Sequence, residues 1–324
     1  MSLPDQNGPR STTTPTRKIL IAVDGSVYSS NALRYVAQLF EKTKTIEFHL
    51  LTIISHQITA TERAWLNEAE IKSGLGPTGC RQYEAAETCM LKAVDLLARH
   101  GVEKSRVTTM IRLNRLGIAD DILHEARQGF YDALLIGRRG LGMIHELVLG
   151  SVSKTILQKC HDLPIWVIEG QVESKKILVP VDGSVHALRA VDHLGFILQD
   201  TPEVEITLFN SPAMFADQAP SDPSHFYQLM ERAWCDEHLN RSDSLFHAPE
   251  QLLIEHGIAP GRIQRLHTTQ GIYPSRQIVR QAMIDDFGTI VMGRRPAEAK
   301  KGLLRGVSDQ VLLMADQAAI WIIG

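Results

Sequence analysis

Two stretches of this chain begin alike. Lys18-Ile19-Leu20-Ile21-Ala22-Val23 runs into Asp24-Gly25-Ser26, and Lys176-Ile177-Leu178-Val179-Pro180-Val181 runs into Asp182-Gly183-Ser184. Further landmarks follow in the same order. The apolar run Val204 to Phe209 repeats Ile46 to Ile54, Thr289 to Gly293 with Arg294-Arg295 repeats Ala133 to Gly137 with Arg138-Arg139, and Ala319 to Ile323 repeats Leu163 to Ile168. Shared landmarks in a shared order mark a tandem duplication, so one unit of ordinary domain size is built twice within 324 residues.

Continuous apolar runs of this kind belong to strands buried on both faces, as in the middle of a parallel sheet. Between them the first unit carries helical patterns at Ser29 to about Phe40, at Arg81 to His100 with a stop at Gly101, and at Ala119 to Gln128. A third strand reads at Arg106 to Arg112. Regular alternation of strand and helix predicts an open parallel α/β sheet with helices on both faces. Met1 to Thr16, rich in Ser, Thr, Pro and Gly, reads as a mobile tail. The expected units are thus a tail at 1–16, a first domain at 17–170, a linker near Gly170 to Lys175 and a second domain at 175–324. Two inserts interrupt the pattern: a polar stretch from Ser55 to about Cys80, with a short helix at Glu62 to Lys72, and a longer, more aromatic one from Pro212 to about Gln251.

Composition excludes several classes of function. A net charge of −3 offers no polybasic surface for nucleic acid. No apolar run approaches the ~20 residues of a membrane span, and the N-terminus lacks a signal-peptide core, so a soluble cytoplasmic protein is expected. The four cysteines form no C-x-x-C pair, and the 13 histidines show no metal-ligand spacing. Cys160-His161-Asp162 suggests a triad only superficially, because adjacent residues at a helix end face different ways.

The stretch with chemistry in it is Gly137 to Ser151, GRRGLGMIHELVLGS, between an apolar strand and the helical VSKTILQKC. Glycines allow backbone N–H groups to approach a phosphate, and a helix N-terminus adds unpaired donors and a positive dipole end. Ser151 can cap that helix or donate its hydroxyl to a phosphate oxygen. The spacing, with Gly137, Gly140 and Gly150 followed directly by Ser151, fits neither a Walker A loop nor a dinucleotide-binding G-x-G-x-x-G. A plain strand-to-helix connection is the competing reading.

This loop resembles the nucleotide signature of the ATP-binding branch of the universal stress protein family, and the resemblance extends over nearly the whole chain apart from the tail and the inserts. It implies two tandem open parallel five-stranded sheets in the order 3-2-1-4-5, similar to the adenine nucleotide α-hydrolase fold. It implies that the strands ending at Ile168 and Ile323 pair within the chain as a pseudo-dimer, with a homodimer as a further option. It also implies a bound ATP, ADP or AMP, with or without Mg²⁺. Asp24 would accept from ribose hydroxyls or hold a metal, unless it only caps the next helix or forms an Asx-turn. Ile53, through its backbone, and Gly117 would face adenine, although Ile53 is equally an ordinary core residue. Gly137, Gly140, Gly150 and Ser151 would hold the phosphates. Arg138 and Arg139 read as solvated loop arginines.

The second unit departs from this pattern. Pro296 stands where the second glycine belongs, and Val307 replaces the hydroxyl residue after Gly306. One nucleotide site per chain is therefore expected, in the first unit, with Lys300, Lys301 and Arg305 as a basic loop in the second. The resemblance implies a nucleotide-dependent stress-response regulator. A slow ATPase using His145, and a nucleotide-free protein acting through a protein partner, are the alternatives.

Overall fold

The apolar runs are strands. In the first half these are β1 (Arg17–Ala22), β2 (Ile46–Ile54), β3 (Val107–Leu113), β4 (Ala133–Gly137) and β5 (Ile165–Ile168). They alternate with α1 (Val27–Leu39), α2 (Pro77–Arg99), α3 (Ile118–Gln128) and α4 (Ser151–Lys159). The second half repeats the scheme with β6 (Lys176–Pro180), β7 (Glu205–Asn210), β8 (Ile263–His267), β9 (Thr289–Gly293) and β10 (Ala319–Ile323). Its helices are α5 (Val185–Leu198), α6 (Arg232–His238), α7 (Ser244–Glu255), α8 (Pro274–Ile284) and α9 (Val307–Met314). The computed structural model describes residues 16–55, 75–138, 149–211, 226–268 apart from 228, 273–295 and 306–324. The tail up to residue 15, the expected helix at 62–72 and residues 212–225 of the second insert lie outside the described residues.

Helix α2 begins at Pro77 rather than at Arg81, because proline suits the first turn of a helix, where its missing N–H has no partner to lose. Helix α1 starts just after Ser26, whose hydroxyl accepts from Ser29 N–H at 3.1 Å.

The strand order is β3-β2-β1-β4-β5-β10-β9-β6-β7-β8. Each half thus has the expected order 3-2-1-4-5, all parallel, and the two five-stranded sheets join edge to edge into one of ten strands through antiparallel pairing of β5 with β10. That reversal turns the C-terminal strand ends of the two halves toward opposite edges of the sheet. The outermost strands, β3 and β8, carry Thr108, Thr109, Gln264 and Arg265 at exposed positions, which discourages further strand addition. β5 and β10 are buried throughout, and each covers the other's edge.

One apolar core lies on each face of this sheet and runs through both halves. Leu33 of α1, Met90 of α2, Val191 of α5 and Leu252 of α7 pack on one face with Ile19, Phe48 and Val179. Ile122 of α3, Ile156 of α4, Ile278 of α8 and Val311 of α9 pack on the other with Leu20, Leu134 and Ile290.

At the junction Trp166 lies opposite Trp321, and their rings stack at 3.7 Å with 3° between planes. His193 of α5 meets both indoles edge-on, and Trp166 Nε1–H donates to its Nε2 at 3.3 Å. Tyr35, the equivalent residue of α1, bonds Thr289 of the other half at 2.9 Å. Farther out, Thr43 and Thr201 pair their hydroxyls at 3.1 Å, and buried Arg17 donates to Phe196 and Ile197 carbonyls at 3.0 and 2.8 Å and pairs with Asp200 at 2.6 Å.

Burial pushes the His193 imidazole down to about 4, against a smaller opposing effect of Asp192. The unfolded chain therefore binds the proton at higher pH than the folded chain does. Stability from neutral His193 is complete above about pH 6.5 and falls by about 3 kcal/mol as pH drops toward 4. Urea denaturation of His193→Phe across this window should show a flatter decline than the parent chain. An unchanged slope would refute the assignment.

Candidate functional site

The C-terminal edge of the first half-sheet gathers most of the residues singled out by sequence. β1 pairs with β2 as far as Ala22 with Leu51, and with β4 as far as Ile21 with Leu135, so Asp24, Ile53 and Gly137 all fall at the strand ends just beyond. Asp24 is exposed, and its Oδ1 accepts from Ser26 N–H at 3.0 Å across Gly25, whose φ of +79° suits only glycine without strain. The Asx-turn is therefore real, while the cap of α1 is Ser26 and not Asp24. Thr52 Oγ1 donates to the Val23 carbonyl at 2.6 Å and locks the end of β2 to the end of β1.

Ile53 is half-buried against the core on the α3 and α4 face. Just past the end of β3 stands Asn114, whose N–H donates to the Ile54 carbonyl at 2.8 Å. The Asn114 side chain then accepts from Gly117 N–H at 2.9 Å, and Gly117 stands at the N-cap of α3 with φ +119°. A side chain there would strain the backbone, so glycine is required by conformation.

The loop after β4 returns to its own start. Gly150 N–H donates to the Arg138 carbonyl at 2.9 Å, and Ser153 Oγ–H donates to the Gly137 carbonyl at 2.9 Å. These two bonds set the N-terminus of α4 beside the end of β4. Gly150 holds the N-cap position, and Ser151 is the exposed first residue of the helix. Of the two roles expected of Ser151, the cap is not the one it fills, since it stands inside the first turn, and among the described residues no side chain caps this helix. Gly140, Arg139 and His145 lie outside the described residues.

Arg138 does not belong to a solvated loop. It is 3% exposed, and its guanidinium crosses to the other half to donate to the carbonyls of Ala315 at 2.7 Å and Leu313 at 3.0 Å, at the C-terminal end of α9. Its Nε lies 3.5 Å from Glu169, itself 6% exposed. Arg294 does the reverse, donating to the Leu157 carbonyl at 2.5 Å and lying 3.4 Å from Asp309. The first arginine of each Gly-Arg-Arg is a clamp between halves. The repeat itself carried this signal, since a motif kept in a half that has lost its glycine and hydroxyl points to structure.

The second half copies the frame of the site but not its contents. Asp182 Oδ1 accepts from Ser184 N–H at 3.0 Å across Gly183, and Asn210, in the place of Thr52, donates to the Val181 carbonyl at 2.8 Å. At the start of α9, however, Val307 stands where Ser151 does, and the first turn carries Asp309. Pro296, Lys300, Lys301 and Arg305 lie outside the described residues.

Other reactive groups are held inert. Cys160 is buried, and burial followed by the Asp162 carboxylate pushes its thiol pKa up, while Arg127 grips Asp162 at 2.8 and 2.9 Å and holds its carboxyl well below the usual range. Burial, then Asp24, likewise raises Cys89 beside the Gly25 turn. Among the described residues no three His, Cys, Asp or Glu side chains converge as a metal site, and no helix is long and apolar enough to cross a membrane.

The family model described as "Universal stress protein family" matches this chain twice, over residues 15–168 and 173–318. A universal stress protein of Archaeoglobus fulgidus is similar in structure, with TM-score 0.60 at 17% identity over 94% of this chain and 97% of that one. A putative universal stress protein of Pseudomonas aeruginosa gives TM-score 0.52 at 15% identity over 95% and 93%. A shorter chain, a universal stress protein solved in complex with cAMP, aligns with 47% of this chain and 96% of its own at 17% identity and TM-score 0.35. No curated protein matches the chain.

The clamp is testable. Replacing Arg138 with Met removes its bonds to the Ala315 and Leu313 carbonyls and a cation beside buried Glu169, and a buried pair broken on one side costs about 3–5 kcal/mol. Urea denaturation of Arg138→Met at pH 7 should show a loss of that order, and adding Glu169→Gln should recover part of it. A loss below about 1 kcal/mol, the range of exposed pairs, would mean that the contact does not hold the halves together.

Proposed function

Because this chain belongs to the universal stress protein family, we propose that its first half binds one adenine nucleotide, and that the bound nucleotide favours one conformation or assembly of a cytoplasmic stress-response regulator. The observation that carries this reading is the N-terminus of α4, with Gly150 at the N-cap and exposed Ser151, fastened beside Gly137 at the switch point between β1 and β4. Ligands of open α/β sheets bind at that crevice. In this reading Gly137, Gly140, Gly150 and Ser151 hold the phosphates, the second carboxylate oxygen of Asp24 accepts from ribose, and Ile53 backbone groups and the Gly117 turn flank adenine. A Mg²⁺ ion would share Asp24 with phosphate oxygens rather than enter a cage of side chains.

The functional units proposed are residues 17–170 and 175–324, with the nucleotide confined to the first. Val307 supplies no hydroxyl, and Pro296, in the place of Gly140, supplies no backbone N–H. Each lost bond to a charged phosphate costs about 1.5–3 kcal/mol. Two such losses move micromolar binding to the millimolar range or beyond.

Denaturing the purified protein and quantifying released nucleotide should give one adenine nucleotide per chain, or calorimetry of stripped protein with Mg-ATP a stoichiometry of one. Ser151→Ala should weaken binding about tenfold or more, since it removes one bond to a charged group. Gly150→Val should weaken it further while circular dichroism stays unchanged. Two nucleotides per chain, or binding unmoved by both substitutions, would overturn the proposal.

A further inference from the structure

The helix over the Gly25 turn is continuous, and its counterpart in the second half is not. α2 runs unbroken from Pro77 to Arg99, and a Cβ placed on Gly25 would meet its Cys89 Sγ at 3.2 Å. Aligning His100-Gly101-Val102 with His256-Gly257-Ile258 sets Cys89 opposite Leu245 of α7, whose Cδ1 lies 3.9 Å from a Cβ placed on Gly183. The same alignment sets the first turns of α2 opposite α6. Where α2 continues, the second half breaks between His238 and Ser244.

The break opens a cavity of about 330 Å³ between α5, α6 and α7. Its floor is apolar and buried, with Leu188, Phe226, Ala248 and Pro249, and its rim is exposed, with Asp236 and Asn240. Two ties hold the walls in place: Trp234 Nε1–H donates to Glu255 at 2.9 Å, and the His238 and His247 rings share a hydrogen bond of 3.0 Å. The size and the pairing of apolar walls with a few polar groups are those of a preformed small-molecule pocket.

Charge narrows the occupant. Among the described residues no Lys, Arg or His lines the cavity, and its single ionisable carboxylate is Asp236 at the mouth. A phosphate or carboxylate would meet no cationic side chain among these residues and a like charge at the entrance. The cavity borders the Gly183-Ser184 turn, but Ser211, Gly293 and Gly306, the equivalents of Ile53, Gly137 and Gly150, are not among its lining residues. We propose that the second half binds a small molecule with an apolar body and a cationic or hydrogen-bond-donating head, the body against Phe226 and Leu188 and the head at Asp236. This site is independent of nucleotide binding in the first half.

The test is calorimetry on the full chain at low salt with three probes of equal length: n-octylammonium, 1-octanol and octanoate. The first two should bind once per chain, and octanoate several-fold more weakly, because the lining carries the Asp236 carboxylate and, among the described residues, no cation. Arg232, 4.0 Å from Asp236 outside the lining, forms only a weak exposed pair with it. Asp236→Asn, an exposed substitution that leaves the fold intact, should weaken octylammonium several-fold and move octanol little. Ala248→Phe fills the cavity floor and should abolish binding of both. If that variant does not fold, Asp236→Asn and the order of the three probes decide the matter. Octanoate binding as tightly as octylammonium, no binding of ammonium or alcohol at millimolar concentration, or full binding to folded Ala248→Phe would each overturn the proposal.

Discussion

The antiparallel contact of β5 with β10 is the interaction on which this architecture rests. Both strands are apolar on every face, and either one alone at a sheet edge would present unpaired backbone groups beside exposed Ile and Trp side chains. Pairing them removes both hazards at once and stacks Trp166 on Trp321. The surrounding contacts follow from that register. From equivalent helices His193 meets both indoles and Tyr35 bonds Thr289 of the other half, and Thr43 and Thr201 touch across the same pseudo-two-fold axis.

The duplication separates what both halves share from what differs between them. What both halves keep is what holds them together: the tryptophan strand, the Asp-Gly-Ser turn that starts the first helix, and the buried arginine that reaches across to the partner half. What differs lies at the open strand ends and over them. The first half presents Ser151 at the helix start, and the second presents Val307 and Asp309. The first half has an unbroken helix over its glycine turn, and the second has a broken one with a cavity beneath.

Much of this was legible in the sequence, and what was not depended on contacts between distant residues. Unbroken apolar runs located the strands and the repeated order of landmarks gave the duplication, since strand burial and alternation are local properties, whereas the strand order within each half came from the family resemblance. The junction was legible because Ile168 and Ile323 end equivalent apolar strands that need cover. Arg138 was misread as a solvated loop residue, because its carbonyl partners, Leu313 and Ala315, lie far along the chain and a sequence window holds no trace of them. Asp24 was read with its alternatives open, and the Asx-turn is present. Thr52, Asn114 and Ser153 went unnoticed. Each is a small polar residue whose one bond ties a strand end or a loop, and such bonds have no sequence period to betray them. The break between α6 and α7 was likewise hidden, although the run of Asn240, Ser242 and Asp243 is the kind that ends a helix.

The covalent link between β5 and β6 has a consequence for assembly. Two separate subunits joined by the same strand pair would be in equilibrium with monomers, and their stability would depend on protein concentration. Here residues 169–175 keep the partners on one chain, at an effective concentration in the millimolar range for a short tether. Dilution cannot part them, and neither half can exchange its mate for another copy. Two unlike ends are therefore held in fixed one-to-one proportion on every molecule, a ratio that a freely mixing dimer of the same units could not guarantee.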